Sequence, residues 1–239
     1  MSVENLFLKA LREDDRARLL PLLFHRNFLA NEVLVEPGGR LDVVAFPREV
    51  QFSQTFGVAL DEPVETALIG REGLTGPVLV LSETCSPWRI SARFAGAAWC
   101  AKTDALRGLA ADAPDLRRRL LGLATYYGAQ NSLSSACAAN HPIAGRVASW
   151  LLNATDLSGS PELFITQEDI GIRLSIQRTS VTEAFKRFKY IGATQTRRGR
   201  ILISNRRALA SVACPCHPGL GHLARSLGVP YPDTETAVA

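Results

Sequence analysis

The hydrophobic period of this chain changes at Asp112-Ala113-Pro114. Before that point, from about Phe28 to Phe94, short β-favouring stretches are cut by turn residues. Glu32 to Val35 runs into Glu36-Pro37-Gly38-Gly39, Leu41 to Phe46 into Pro47, and Val50 to Phe56 into Gly57. Val64 to Ile69, Val78 to Leu81 and Trp88 to Phe94 continue the pattern. Even spacing with little helical period predicts a small sandwich or barrel. After that point Leu116, Leu120, Leu123, Tyr127, Gln130, Ser134 and Cys137 recur at alternating steps of four and three, which is the seam of a long helix. A β half that feeds one long helix restricts the chain to an α+β architecture.

The seam has two readings. It packs on the chain's own β domain, or it meets a second copy. A long helix leaving a sandwich needs a cover for such a stripe, so we assign these seven residues to a dimer seam. Asn140-His141-Pro142 then breaks the helix, because Pro is tolerated in the first turn of the next one. In that next helix Ile143, Val147, Trp150, Leu151 and Ala154 share a face. A polar connection, Asp156 to Pro161, and a strand candidate, Leu163 to Ile165, follow. The expected divisions are a β domain over 1–111, the long helix over 112–140, a second domain over 141–216 and a mobile tail over 217–239.

Composition removes several function classes. The longest strongly apolar run, Pro77 to Leu81, is far short of the roughly 18 to 20 residues that cross a bilayer, so no membrane partner is expected. Five cysteines in 239 residues and no charged start followed by an apolar run point to a cytoplasmic protein with reduced thiols. His25 is the one histidine before 141, no His-x-His occurs, and neither a Gly-x-Ser-x-Gly elbow nor a phosphate-cradling glycine loop is present. A metal-dependent or nucleophilic enzyme lacks its side chains here, and none is expected.

Charge is concentrated in one segment. Residues 141 to 210 hold 11 Lys/Arg against 5 Asp/Glu, whereas residues 1 to 140 hold 15 against 16. A polyanion partner fits such a segment, as does a solvated face. Thr166-Gln167-Glu168-Asp169 has the form of a capping box and starts a helix on Ile170 and Leu174. A second helix from Gln177 to about Tyr190 buries Val181, Phe185 and Phe188, with Gly171 small enough to sit where the two would cross. That is a helix-turn-helix, and Arg178, Thr179, Thr182, Glu183 and Lys186 point outward, able to reach base edges in a major groove. Gly192 ends the helix, and Gln195 to Ile203 reads as a hairpin with Arg198-Gly199 at its tip. Arg197, Arg198 and Arg200 would lie along phosphates. The conjunction points to double-stranded DNA as the partner.

In order and spacing these parts resemble the Crp/Fnr family of bacterial transcription regulators over roughly residues 5 to 216. The resemblance rests on Val33-Leu34-Val35-Glu36-Pro37-Gly38, Val43 to Pro47, Ile69-Gly70-Arg71-Glu72-Gly73-Leu74, Trp150-Leu151-Leu152, Thr166-Gln167-Glu168, Arg178 to Ala184 and Arg197-Arg198-Gly199-Arg200-Ile201. It implies an N-terminal jelly roll of the cyclic-nucleotide-binding type, a long dimerisation helix and a C-terminal winged helix-turn-helix, acting as a homodimer on a palindromic operator. RNA polymerase and a small-molecule effector are further partners it would bring. The family's base-reading positions fall on Arg178, Thr179, Thr182 and Glu183. Gln167, Gln177, Ser180 and the wing arginines match phosphate-contacting positions, and Lys186 is grouped with them.

The sensor half departs from the family. Cyclic-nucleotide members hold the ribose with a Glu and the phosphate with an Arg-Ser pair. Alignment on Ile69-Gly70 and Trp88 puts Arg71 and Cys85-Ser86 at those positions, with Glu72 alongside, so the pocket is degenerate and tight cyclic AMP or GMP binding is not expected. The first cysteine is Cys85, which removes the iron-sulfur pattern, and His25 reads as a surface or loop residue rather than a haem ligand. Cys214-Pro215-Cys216-His217 with His222 carries ligand atoms, but at tighter spacing than usual zinc sites. The expectation is reduced thiols, no metal and no cofactor.

Overall fold

The computed structural model describes residues 5–57 and 63–232. Two short helices, α1 (Leu6–Ala10) and α2 (Glu13–Leu19), precede the strands β1 (Phe24–Phe28), β2 (Val33–Val35), β3 (Val43–Pro47), β4 (Phe52–Phe56) and β5 (Val64–Ile69). Helix α3 (Pro77–Ser82) separates these from β6 (Arg89–Ala92) and β7 (Gly96–Lys102). The strands make two antiparallel sheets, ordered β1-β7-β3 and β2-β6-β4-β5. Their facing sides bury Phe28, Phe46, Phe52 and Ile69, with the Phe28 and Phe52 rings edge to face at 5.0 Å between centroids. Two sheets closing on one core are the jelly-roll arrangement expected of the N-terminal part.

One stretch differs from expectation. Val78 to Leu81 reads as a strand by composition but is the body of α3. Gly76 takes a left-handed conformation (φ 59°), Pro77 fills the first helical turn, and Leu79 and Val80 are buried beneath. Tertiary burial has overridden the β propensity of Val-Leu-Val-Leu.

Helix α4 (Thr103–Ala111) leads to α5 (Pro114–Asn140), a helix of 27 residues. Its stripe faces inward. Leu116, Leu120, Leu123, Tyr127, Gln130 and Cys137 are all buried within the chain itself, and Gln130 Oε1 accepts the Leu68 amide of β5 at 3.3 Å; of the seven, Ser134 is exposed. The assignment of this stripe to a dimer seam is therefore corrected, since six of its seven residues are covered within the chain, Cys137 against Cys214 and the others nearer the β domain. A different stripe is free: Leu121, Thr125, Gly128, Ser132, Ser135 and Ala139, again at steps of four and three.

Beyond α5 come α6 (Ile143–Ser158), β8 (Glu162–Leu163), α7 (Gln167–Leu174), α8 (Arg178–Tyr190), the hairpin β9 (Thr194–Arg197) and β10 (Arg200–Ile203), α9 (Arg206–Ala210) and α10 (Cys216–Ser226). The small sheet is ordered β8-β10-β9. Helix α6 lies against the β domain: Gln51 Nε2 donates to the Ala154 carbonyl at 2.7 Å, and a Cβ on Gly70 would come within 2.6 Å of Leu157 Cβ. The tail expected over 217–239 is folded through residue 232. Leu220, Ala224, Val229 and Tyr231 are buried, and the Tyr231 hydroxyl donates to Asn153 Oδ1 at 2.6 Å. Residues 233–239 lie outside the described residues. No helix among the described residues is long and apolar enough to cross a membrane.

Candidate nucleic-acid interface

Local rules place the two crossing helices. The Thr166 hydroxyl accepts the Asp169 amide at 3.1 Å while the Asp169 carboxylate accepts the Thr166 amide at 3.0 Å, so the capping box forms and starts α7. Ser175, left-handed at φ 50°, turns the chain, and the Ile176 amide donates to the Gly171 carbonyl at 2.8 Å. A Cβ on Gly171 would meet the Ile176 carbonyl at 2.8 Å, which explains the glycine at the crossing. Val181, Ala184, Phe185 and Phe188 fasten α8 to the domain core.

That packing leaves a polar face in solvent. Arg178, Thr179, Glu183 and Lys186 are exposed, Lys186 Nζ pairs with Glu183 Oε1 at 2.7 Å, and Gln177 and Ser180 flank the start of the helix. Thr182 is half-buried; its hydroxyl lies 3.0 Å from the Arg178 carbonyl and 3.3 Å from Gln167 Oε1, which ties α7 to α8. No side chain caps the N-terminus of α8 and its first turn holds no acidic residue, so its positive end is not offset by a carboxylate, an arrangement suited to an anion.

The wing turns on Gly199 (φ 71°), with Arg197 opposite Arg200 and Ile201 opposite Thr196. Arg197 and Arg198 are free in solvent. Arg200 is less so: its guanidinium stacks over Phe164 at 4.8 Å from the ring centre and stands 3.6 Å from Glu162. Between α8 and the wing runs an open groove of about 430 Å³ lined by Gln167, Thr182, Lys186, Lys189, Gln195 and Thr196, among others. The structure thus brings Gln167, Thr182 and Lys186 together and adds Lys189, Gln195 and Thr196, which the sequence reading passed over. Lys189 had a signal: it lies one short helical step beyond Lys186 on the same face.

The residues aligned with a nucleotide pocket do not converge. A cavity of about 150 Å³ between the β domain and α5 is lined by Gln54, Thr66, Trp88, Tyr127 and Asn131, among others, with no charged side chain and none of Arg71, Glu72, Cys85 or Ser86. Ser86 is engaged locally, its hydroxyl donating to the Trp88 carbonyl at 2.7 Å, and Cys85 is exposed. Arg71 turns toward the end of α6, where its amide donates to the Leu157 carbonyl at 3.2 Å. Glu72 is fully buried, accepting the Gly70 amide at 2.9 Å and facing the Tyr127 hydroxyl at 3.3 Å; burial pushes its carboxyl up to about 7. None of the four lines this cavity: Arg71 and Glu72 serve the joints to α6 and α5, while Ser86 is held by its neighbouring loop and Cys85 stands in solvent.

A charged node joins the two halves. The buried Glu65 carboxylate accepts from the Ser53 hydroxyl at 2.5 Å, from Trp150 Nε1 at 3.0 Å and from Arg93, with Arg173 of α7 at 3.6 Å. Arg173 also donates to Ser53 Oγ at 3.0 Å, and the Arg93 guanidinium lies 4.6 Å from the Trp150 ring centre. Burial, with Arg173 as a like-charged neighbour, lowers the Arg93 guanidinium well below its ordinary range.

Comparison with known proteins agrees with this geometry. Residues 145–212 match the Crp-like helix-turn-helix domain. FixK2 from Bradyrhizobium japonicum superposes with a TM-score of 0.68 at 14% identity, over 80% of this chain and 98% of that one. A crp/fnr-family structure from Eubacterium rectale gives 0.64 at 16% over 85% and 95%. A transcriptional regulator of the CRP family from Thermus thermophilus gives 0.56 at 15% over 79% and 96%. At these identities the likeness is one of fold. No curated protein matches the sequence.

Proposed function

We infer that this chain, Crp/Fnr-type in fold and carrying a Crp-like helix-turn-helix domain, is a DNA-binding transcription regulator. The observation that carries the reading is the solvent-facing side of α8, set beside a wing whose tip bears Arg197 and Arg198. In this reading Arg178 offers a bidentate fork to guanine and Glu183 accepts from a cytosine amino group, while Thr179 and Thr182 complete the base-reading set. Gln167, Gln177, Ser180, Lys186, Arg197 and Arg198 hold phosphates. Arg200, stacked on Phe164, contributes less to the phosphate grip than its neighbours.

The protein works as a homodimer on a two-fold operator, in the cytoplasm. The free stripe of α5 headed by Leu121, not the buried Leu116 to Cys137 stripe, is the face that meets the second copy. Half-sites about one helical turn apart then match two α8 helices in one relative pose. Its partners are DNA and its own copy, with RNA polymerase and an effector left to the operator context.

An electrophoretic shift on DNA upstream of the gene tests the reading. Arg178→Ala should abolish preference for the specific site, at about 1–3 kcal/mol, while Arg198→Ala weakens specific and non-specific binding about equally. Equal effects of the two substitutions on all sequences would overturn the base-reading assignment. A monomer in sedimentation at micromolar concentration with operator present would overturn the dimer.

A further inference from the structure

The end of α5 and the turn before α10 meet at a corner that the DNA-binding reading does not use. Cys137 and His141 stand one helical turn apart at the close of α5, where the His141 amide donates to the Cys137 carbonyl at 3.0 Å. Cys214 and Cys216 arrive from the far end of the winged-helix domain. Gly145 of α6 holds them in place, its carbonyl accepting the Cys214 amide at 3.2 Å. The four donor atoms all lie within 4.8 Å of one another. Cys137 Sγ is 3.5 Å from Cys214 Sγ, and Cys216 Sγ is 3.4 Å from His141 Nδ1.

We propose that Cys137, His141, Cys214 and Cys216 bind a single zinc ion that clamps the long helix to the DNA-binding domain. A tetrahedral zinc with sulfur at about 2.3 Å and nitrogen at about 2.0–2.1 Å has ligand-to-ligand edges of roughly 3.5–3.8 Å, close to the Cys137–Cys214 and Cys216–His141 spacings and within about 1 Å of every other pair. A polynuclear iron-sulfur cluster would spread four ligands across more than one iron, farther apart than these atoms stand. Three thiolates and one imidazole suit zinc in preference to the hard divalent ions. The Ser149 hydroxyl, 2.9 Å from the Cys214 carbonyl and 3.0 Å from its sulfur, supplies the outer-shell partner that metal thiolates take.

His217, the histidine nearest the Cys-x-Cys in sequence, is not in the set. Its Nε2 lies 2.7 Å from Asp156, which also pairs with Arg206 at 2.6 Å. Access is open on one side, because a cavity of about 300 Å³ between β5, α5, α6, α7 and α10 is lined by Cys137 and Cys216. Binding forms three Zn–S bonds and one Zn–N bond and releases the thiol protons to water. The clamp spans the Asn140-His141-Pro142 break, so occupancy fixes the direction in which α6 and the helices beyond it leave α5.

The test uses the full chain, purified reduced and without a metal-affinity tag. Elemental analysis should give about one zinc per chain, and stripped protein titrated with Co²⁺ should develop tetrahedral d–d bands with thiolate-to-cobalt charge transfer. Cys137→Ser and Cys214→Ser should lose the spectrum. Cys216→Ser and His141→Ala, at half-buried positions that tolerate change, should weaken cobalt binding by at least about tenfold, while Cys85→Ser and Cys100→Ser leave it intact. Five free thiols with neither zinc nor a cobalt spectrum would overturn the site. So would a Cys137–Cys214 disulfide persisting under the same reducing conditions, iron in place of zinc, or a spectrum that survives Cys137→Ser. None of these readouts involves DNA, so the site and the DNA-binding reading fail separately.

Discussion

Removing the Glu65 carboxylate is the sharpest test of how the DNA-binding domain is held on the β domain. The Glu65 side chain is 5% exposed, Arg93 is 1% and Arg173 is 17%, so the three charges meet almost without water. Arg93 Nε and Nη1 and Arg173 Nε already lack hydrogen-bond partners. Glu65→Ala leaves two guanidiniums facing each other and strips the acceptor from Trp150 Nε1. Breaking a buried pair from one side costs about 3–5 kcal/mol, because the remaining charge keeps its desolvation penalty without its Coulomb return. For a chain of this length that is roughly 6–20 °C in melting temperature. Glu65→Gln, which keeps an acceptor but not the charge, should cost about 1.5–3 kcal/mol. Deleting Arg93 together with Glu65 should recover part of the loss, since one stranded cation goes with it. Urea unfolding of the four proteins measures this, with Glu183→Ala as the control: its pair with Lys186 is exposed and its loss is worth under about 1 kcal/mol. A Glu65→Ala penalty below about 1 kcal/mol would refute the claim that this node holds the domains together.

Three further outcomes follow from the same structure. The folded state raises the Glu72 carboxyl from its ordinary 4.5 to about 7, so between those values it keeps a proton that the unfolded chain has released. Stability therefore falls as pH rises through that window and stays low above it, by on the order of 3 kcal/mol; Glu72→Gln should flatten the slope and be the more stable protein at pH 8, and the reverse order in urea unfolding would contradict it. Gly171→Ala puts a Cβ 2.8 Å from the Ile176 backbone carbonyl, which cannot rotate away, so the melting temperature should drop by the equivalent of about 1–3 kcal/mol, and a wild-type melt would show the crossing is looser than described. Calorimetry with cyclic AMP or cyclic GMP should show no binding at micromolar affinity or tighter, because the 150 Å³ cavity is below the roughly 300 Å³ of ordinary ligand pockets and has no cation on its lining; a micromolar isotherm would refute this.

The elements legible in the sequence are those governed by neighbours in the chain. The capping box at Thr166 and Asp169, the glycine at the helix crossing and the Arg198-Gly199 tip depend on two to five residues each, and the structure has all three. What was illegible depends on partners far away. Strand β7 carries Ala97-Ala98-Trp99-Cys100-Ala101 between two neighbours, buried throughout, and a strand without a wet face has no alternation to read. The Cys-His corner was half visible as Cys214-Pro215-Cys216, but its other half lies 77 residues earlier at Cys137.

The long helix shows why periodicity settles a face and not its occupant. Helix α5 has one strongly apolar stripe, and the chain itself covers nearly all of it; the stripe left in solvent, which the proposed dimer would use, is Leu121 followed by Thr, Gly, Ser, Ser and Ala. Small residues let two helices approach closely but bury little apolar area per turn, so such a contact adds modest free energy at about 25 cal/mol per Å². In the dimer proposed above, the pose of the two recognition helices is then not set by that contact alone. On that proposal the pose is governed where each α5 hands over to its own winged-helix domain, through the Glu65 node at one side and the corner of Cys137, His141, Cys214 and Cys216 at the other. A signal that reaches either joint moves α8 without touching the seam, so substitutions at Glu65 or Cys137 should change operator affinity while leaving the sedimentation of the free protein unchanged.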